Sequence, residues 1–373
     1  MKPRHYFPLG KAYGQAFCNR VIETNQLIDN MQNGKHTFLV APRRYGKSSL
    51  CEKAIGLIDY PHAKLDFHLA VDEKDVERII INGTTKLITN SISSIEKLAQ
   101  FIKKYTRKLK PKLQMEIKGF SLELELESDS SPAENIADGL LLLEKLLQKR
   151  NKQAVILLDE FQEIGEMKGG KSIEGAIRHA AQETSNLSLV FSGSNPHLLR
   201  TMFEGKRRPL YKLCRKLVLD RIESKDYKKH LNIAAKMMWG KQLEVNIFDR
   251  IMEKSERHPY YVNYLCDILW SENKKLPTLK DVDKAWSVVI EEERSDLLKD
   301  FFGLSENQRK LMMCVANHGG TSIYSHKISK GMDMPVGSIS RVLTALMEKD
   351  LLEKAGDKYR FIVPVYKDLL LIS

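Results

Sequence analysis

Ten residues restrict the folds open to this chain more than any others: Ala41-Pro42-Arg43-Arg44-Tyr45-Gly46-Lys47-Ser48-Ser49-Leu50. An apolar run, Thr37 to Val40, leads in and an amphipathic stretch, Leu50 to Ile58, leads out, which predicts a strand, a tight loop and a helix start. In such a loop the backbone N–H groups converge on phosphates at the positive end of the helix dipole. A Lys adds a mobile charge, and a Ser or Thr hydroxyl holds Mg²⁺. Gly46, Lys47 and Ser48 fill those places, with Pro42, Arg43, Arg44, Tyr45 and Ser49 completing the cradle. The usual spacing is G-x-x-x-x-G-K-[ST], and Ala41 stands where the first Gly belongs; alanine fits there if its φ is negative. The alternative is a basic surface loop.

The second anchor follows a predicted helix from Pro132 to Arg150, capped by Ser131 with Pro132 in the first turn. It is Ala154 to Gln162, in which Val155-Ile156-Leu157-Leu158 run into Asp159-Glu160. That describes a strand buried on both faces with carboxylates at its C-terminal tip, where parallel sheets place their ligands. Asp159 is suited to hold Mg²⁺ through its water shell and Glu160 to polarise an attacking water. A helix near Ser172 to Thr184 and another buried strand, Leu187 to Asn195, come next.

The chain has 373 residues, 42% of them hydrophobic, enough for two or three domains with real cores. Its net charge of +12 favours polyanionic partners or simply solubility. Cys18, Cys51, Cys214, Cys266 and Cys314 are odd in number and widely spaced, which argues against a disulfide framework or a C-x-x-C metal site and fits a reducing cytoplasm. The N-terminus lacks a signal-peptide core, and no run of about 18 apolar residues predicts a membrane span.

Elsewhere, Leu27, Ile28 and Met31 suit a short helix, Ala63 to Leu69 a strand with Asp66 inside it, and Asp75 to Ile81 a helix. A further helix is expected over Ile95 to Leu109, and period-two alternation makes Phe120 to Glu127 a half-exposed strand. Lys103 to Lys118 and Arg200 to Lys216 are basic runs of seven Lys or Arg each. The second is either a solvated loop or the source of an arginine, Arg207 or Arg208, that neutralises charge in phosphoryl transfer; Arg208 is the candidate. Leu217 to Leu219 reads as the last strand.

Beyond residue 223 only helices are predicted, at Asp226 to Trp239, Val245 to Ser255, Tyr260 to Trp270 and Leu279 to Arg294. From Phe301 the pattern is that of a winged helix: a Ser305/Gln308 capping box opening a helix through Val315, a helix at Ser325 to Lys330, and a third from Pro335. A two-stranded wing closes it at Leu352 to Phe361. Ser338, Arg341 and Ala345 are the expected exposed positions of the third helix, thin equipment for reading bases.

Together these residues resemble the archaeal-type P-loop ATPases related to signal-transduction NTPases and origin-recognition ATPases, over nearly the whole chain. The strongest pieces are Arg43 to Leu50 and Asp159-Glu160-Phe161-Gln162. Phe17-Cys18-Asn19-Arg20 with Glu23 resembles the F-x-x-R-x-x-E box that lies over the adenine. His258-Pro259 resembles the element that closes the lid on the nucleotide, although Glu256 and Arg257 replace its usual glycines. The resemblance implies that a polar residue, one of Ser192, Ser194 and Asn195, senses the γ-phosphate. It also implies ATP and Mg²⁺ as ligands, a five-stranded parallel sheet, and a switch between nucleotide states. The expected organisation is an α/β P-loop NTPase core with a parallel sheet over 1–223, an all-α lid over 224–300 and a winged-helix domain over 301–373. The expected function is an ATP-hydrolysing switch acting on a protein partner; the alternative is a nucleic-acid-associated ATPase. No membrane partner is expected, and assembly into an oligomer in the ATP state is left open. A non-hydrolysing scaffold is disfavoured by the presence of both Lys47 and Glu160.

Overall fold

A computed structural model describes residues 5–91, 109–116, 119–126 and 131–372. The chain divides into two compact units, one of Arg20–Arg43 and Leu50–Leu219, the other of Met1–Asn19, Arg44–Ser49 and Asp220–Ser373.

The first unit alternates helix and strand: α1 (Val21–Gln32), β1 (Thr37–Val40), α2 (Lys47–Ile58, its first turn in the second unit), β2 (His62–Asp66) and α3 (Glu73–Ser91). It continues through β3 (Leu109–Glu116), β4 (Gly119–Leu126), α4 (Pro132–Arg150), β5 (Ala154–Asp159), α5 (Gln162–Glu166) and α6 (Gly170–Glu183). Then come β6 (Leu187–Phe191), α7 (Pro196–Glu204) and β7 (Arg215–Val218). Five strands form one parallel sheet in the order β2-β5-β6-β1-β7. The strands richest in apolar residues, β1, β5 and β6, are buried at every position and lie in the middle. β2 sits at one edge, with His62, Lys64 and Asp66 exposed and Ala63 and Leu65 buried. All strands point the same way, so the ends of β1, β6 and β5 share one margin of the sheet.

The sheet is pinned by polar groups as well as by its apolar faces. The buried Glu144 carboxylate on α4 accepts the backbone N–H groups of Ser185, Asn186 and Leu187, at 3.1, 3.1 and 2.9 Å, and so fixes the entry to β6. Ser131 caps α4 by accepting from the Glu134 N–H at 3.3 Å, with Pro132 in the first turn. The alternating segment forms β4, paired antiparallel with β3 in the register Leu113↔Leu122. The helix expected at Ile95 to Leu109 lies outside the described residues except at Leu109, which begins β3.

The second unit carries α8 (Ser224–Trp239), α9 (Val245–Ser255), α10 (Pro259–Glu272), α11 (Leu279–Phe302), α12 (Glu306–His318), α13 (His326–Gly331) and α14 (Val336–Glu348). The hairpin β8 (Leu352–Ala355) and β9 (Lys358–Phe361) and a last helix, α15 (Val365–Ile372), complete it. Both caps of the expected capping box form, Ser305 accepting from the Gln308 N–H and Gln308 accepting from the Ser305 N–H. α11 continues past Arg294 to Phe302 because its buried stripe continues through Leu297 and Phe301, so residue 300 falls inside a helix. One unbroken core runs from Ile222 to Leu370 and takes in Tyr6 and Phe7, the latter edge-on to Trp270 at 4.8 Å. α15 packs on α11 and α12 through Val365, Tyr366, Leu369 and Leu370. The outer face of α14 also differs from expectation. With Ile339, Leu343 and Leu346 buried, Ser338 and Ala345 fall half-buried at the flanks, and Val336, Gly337, Ser340, Arg341, Thr344 and Glu348 are the exposed positions. Among the described residues no helix is long and apolar enough to cross a membrane, and none of the five cysteines is in a disulfide.

Candidate functional site

The register of β5 and β6 builds the acidic tip. The Ser192 N–H donates to Leu158 O at 2.8 Å and the Phe161 N–H to Ser192 O at 2.9 Å, carrying the pairing one step beyond both strands. Asp159, buried there, uses both oxygens: Oδ1 accepts from Ser192 Oγ at 2.9 Å and Oδ2 from Lys64 Nζ at 2.7 Å. Burial alone would raise this carboxyl, but Lys64 and Ser192 outweigh it and hold Asp159 below the ordinary range. Lys64 had no place in the sequence reading; its signal was the charged residue on the open face of an edge strand.

Glu160 adopts a left-handed backbone, φ 51°, a conformation that costs a non-glycine residue about 1 kcal/mol or more. The turn aims its carboxylate back at β6, where Oε2 accepts from the Ser194 N–H at 3.0 Å, Ser194 Oγ at 2.7 Å and Gln162 Nε2 at 2.6 Å. Burial works to raise its pKa, yet these donors prevail and keep it ionised. Gly193 between them leaves room for the Gln162 amide, since a Cβ there would displace its oxygen. The three polar residues that the sequence left together now separate: Ser192 serves Asp159, Ser194 serves Glu160, and Asn195 caps α7 by accepting from the Leu198 N–H at 3.0 Å.

The loop after β1 has the shape its sequence asks for. Gly46 lies at φ 89°, where a side chain would be strained, and α2 begins at Lys47. Ala41 is buried and lies outside the left-handed region, so alanine brings no backbone strain at the first position of the motif. Pro42 and Ser48 are half-buried, and Arg43 and Gly46 exposed. Arg44 is also left-handed, φ 65°; its guanidinium lies 4.1 Å over the Tyr260 ring and pairs with Glu293 at 3.4 Å. Tyr45 is buried, donating to Glu353 at 2.7 Å, accepting from Arg221 Nε at 3.1 Å and standing edge-on to His258 at 4.8 Å. Lys47 is buried, and its charge opposes the rise that burial imposes on Asp350, whose pKa stands at about 6. Ser49 Oγ accepts the Ala12 N–H at 3.0 Å.

Arg221 is the hub of this cluster and went unmarked in the sequence. Its fully buried guanidinium also donates to Glu256 O and Oε2 at 3.0 and 2.9 Å and to Phe361 O at 2.6 Å, and it pairs with Glu353 at 3.1 Å. Glu256 and Arg257 both adopt positive φ, 46° and 61°, a region that favours glycine. They deliver His258 as the N-cap of α10: its Nδ1 accepts from the Tyr260 N–H at 3.2 Å, with Pro259 next. Complete burial, reinforced by Arg221 and Arg44, keeps the His258 imidazole neutral, as an accepting nitrogen requires.

Two other expected site residues have partners inside the first unit. Arg20, buried and left-handed at φ 65°, pairs with Glu23 at 2.8 Å, joining the two charged members of its box. Phe17 is half-buried after a short 3₁₀ turn, Gly14–Ala16. Arg208 pairs with the fully buried Glu174 of α6. Burial raises that carboxyl to about 7 against the pull of Arg208. Arg208 is thus engaged in an ion pair with a buried partner, whereas Arg200, Arg207 and Arg215 of the same run are exposed.

No family model matches the chain, and no curated protein does. Among solved structures it is similar to a Walker-type ATPase of Pyrococcus abyssi, at 16% identity and a TM-score of 0.68, over 98% of this chain and 99% of that one. It is also similar to the ORC2 protein of Aeropyrum pernix in ADPNP–ADP complexes, at 12% identity and a TM-score of 0.56, over 95% of each chain. The shared fold is a P-loop ATPase core with a parallel sheet, followed by a helical C-terminal region.

Proposed function

We propose that the chain is a Mg²⁺-dependent ATP-binding and ATP-hydrolysing switch that acts on a protein partner. One observation supports this above the rest. The sheet order places β6 between the strand that leads into the phosphate loop and the strand that ends in Asp159-Glu160, and the end of β6 holds both carboxylates in place. In this reading the loop N–H groups and Lys47 bind the phosphates, and Ser48 and Asp159 hold Mg²⁺, which when bound neutralises phosphate charge. Glu160, kept ionised by its donors, is a weak base, so its main effect is to orient the attacking water. Phe17 and Arg20 flank the adenine, Asn195 faces the γ-phosphate, and His258 and Pro259 report nucleotide state to the helical region. Arg208, or its exposed neighbour Arg207, is the candidate arginine finger.

The C-terminal helices and hairpin act as a winged helix in this reading. Arg341 is the only cation among the exposed positions of α14, a face better suited to protein than to DNA, whose backbone calls for several cations. A salt titration separates the two, since phosphate-driven binding weakens steeply as salt rises. We place the protein in the cytoplasm, with assembly in the ATP state as an open degree of freedom.

Two variants test the reading. Lys47→Ala is expected to weaken ATP binding and abolish turnover, because Lys47 meets the phosphates in ground and transition states alike. Glu160→Gln is expected to keep ATP bound while slowing hydrolysis by about 10²- to 10⁴-fold. Phosphate release reports the rate and a fluorescent ATP analogue reports binding. Unimpaired hydrolysis in Glu160→Gln removes that carboxylate from the mechanism; unchanged affinity in Lys47→Ala removes the phosphate loop.

A further inference from the structure

We propose that Lys64 is a built-in counter-charge for Asp159, occupying the carboxylate while no divalent cation is present and giving way when one arrives. The inference rests on the reading of Asp159 as the metal-holding residue and concerns how that residue is kept when the site is empty.

A buried carboxylate needs a positive charge or several donors at all times. Asp159 has two neutral donors, Ser192 Oγ at 2.9 Å on Oδ1 and the Glu160 backbone N–H, and one cation, Lys64 Nζ at 2.7 Å on Oδ2. The way Lys64 reaches it follows from the sheet. Asp66 pairs in register with Asp159, and Lys64 lies two residues earlier on the same, solvent-facing side of β2. Its four-carbon stem therefore runs along the open face of an edge strand to the tip of the neighbouring strand.

The two side-chain partners differ in how firmly they are held. The Ser192 hydroxyl is buried in the central strand, and the backbone on either side of it is tied into the β5 pairing. The Lys64 side chain keeps about a third of its surface in water, 35% against 11% for the Asp159 side chain. A flexible stem so placed gives the ammonium a path into solvent, where it regains hydration. A divalent cation near Asp159 would repel it at short range and supply the carboxylate with a stronger counter-charge. Lys64 thus competes with the cation for one oxygen, while Ser192 keeps the other oriented for either occupant.

Competition and simple scaffolding predict opposite signs. The measurement is the affinity for a fluorescent ATP analogue in Mg²⁺ and in EDTA, and the readout is the dissociation constant in EDTA divided by that in Mg²⁺, which isolates the contribution of the metal. In Lys64→Met, which keeps the stem and removes the charge, the ratio is expected to rise about three- to tenfold above wild type, in line with the loss of a partly exposed ion pair. Lys64→Arg, which retains a cation on the same face, is expected to stay near the wild-type ratio. The metal-free Lys64→Met protein should also melt earlier than wild type and recover the deficit when Mg²⁺ and the analogue are added. A ratio that is unchanged or lower in Lys64→Met means that Lys64 only braces Asp159, and overturns the proposal while leaving the site intact. A wild type whose analogue binding ignores Mg²⁺ overturns the site reading itself, and the role of Lys64 with it.

Discussion

At the tip of β5, Asp159 and Glu160 draw their partners from β2, β6 and the next turn of chain, all within the same sheet or beside it. In the phosphate loop, Arg44, Tyr45 and Lys47 draw theirs from Arg221, His258, Tyr260, Glu293, Asp350 and Glu353. The first arrangement is set by strand register, which cannot slip without exposing a buried face. The second depends on residues some 180 to 310 positions further on, in a unit with a core of its own. The tip of β5 is thus held within its own sheet, whereas the loop is held by residues far along the chain. In the proposed switch the first part would stay constant and the second would respond.

The strongest test of this contrast is Arg221→Met. It removes a donor from a buried tyrosine hydroxyl, two carboxylates and three backbone carbonyls, so a loss of about 3–5 kcal/mol in stability is expected by chemical denaturation. Affinity for the ATP analogue should fall with it. If affinity holds while stability drops, the loop keeps its shape without its distant partners and the contrast is broken.

Ser194→Ala probes the other side. Its hydroxyl is one of three donors to Glu160, and a hydrogen bond to a charged group contributes about 1.5–3 kcal/mol. Turnover should fall roughly ten- to a hundredfold with ATP affinity unchanged. A matching loss of affinity would mean that the tip is coupled to the loop after all.

The smallest effect is a pH slope. Burial holds the His258 imidazole below its ordinary 6.5, so as pH falls through that value the unfolded chain takes up a proton that the folded chain refuses. The stability His258 contributes is complete above 6.5 and is lost on acidification. Asn keeps an acceptor at the N-cap without titrating. His258→Asn should therefore remove about 1.4 kcal/mol per pH unit from the slope of stability below 6.5, measured by denaturation at several pH values. An unchanged slope would show that this histidine titrates alike in both states.

What the sequence disclosed divides along the same line. Ser131 with Pro132, and Ser305 with Gln308, name their own helix starts because a cap is satisfied within three residues. Asp159 and Glu160 were legible because a both-sides-buried strand is a continuous apolar run. Arg221 was not: it is a lone arginine after an apolar strand, and its partners lie near residues 45, 256, 353 and 361, which no local pattern can bring together. The partner of Arg208 was hidden for the same reason, since Glu174, which pairs with it, belongs to another helix. The absent glycines at Glu256 and Arg257 looked like a departure from the motif, yet the backbone keeps the left-handed shape without them. α15 could have been found, for Val365, Tyr366, Leu369 and Leu370 repeat at helical spacing.

The sheet order also dictates a schedule during synthesis. β1 leaves the ribosome early, but its two neighbours are β6 and β7, starting at Leu187 and Arg215. At about 5–20 residues per second, the roughly 150 residues between β1 and β6 take on the order of 8 to 30 s to make. Throughout that interval Thr37-Phe38-Leu39-Val40, apolar and destined for the centre, has no strand to pair with. The loop that follows β1 inherits the delay, so in the proposed function the nucleotide would meet its loop only after most of the sheet has been made.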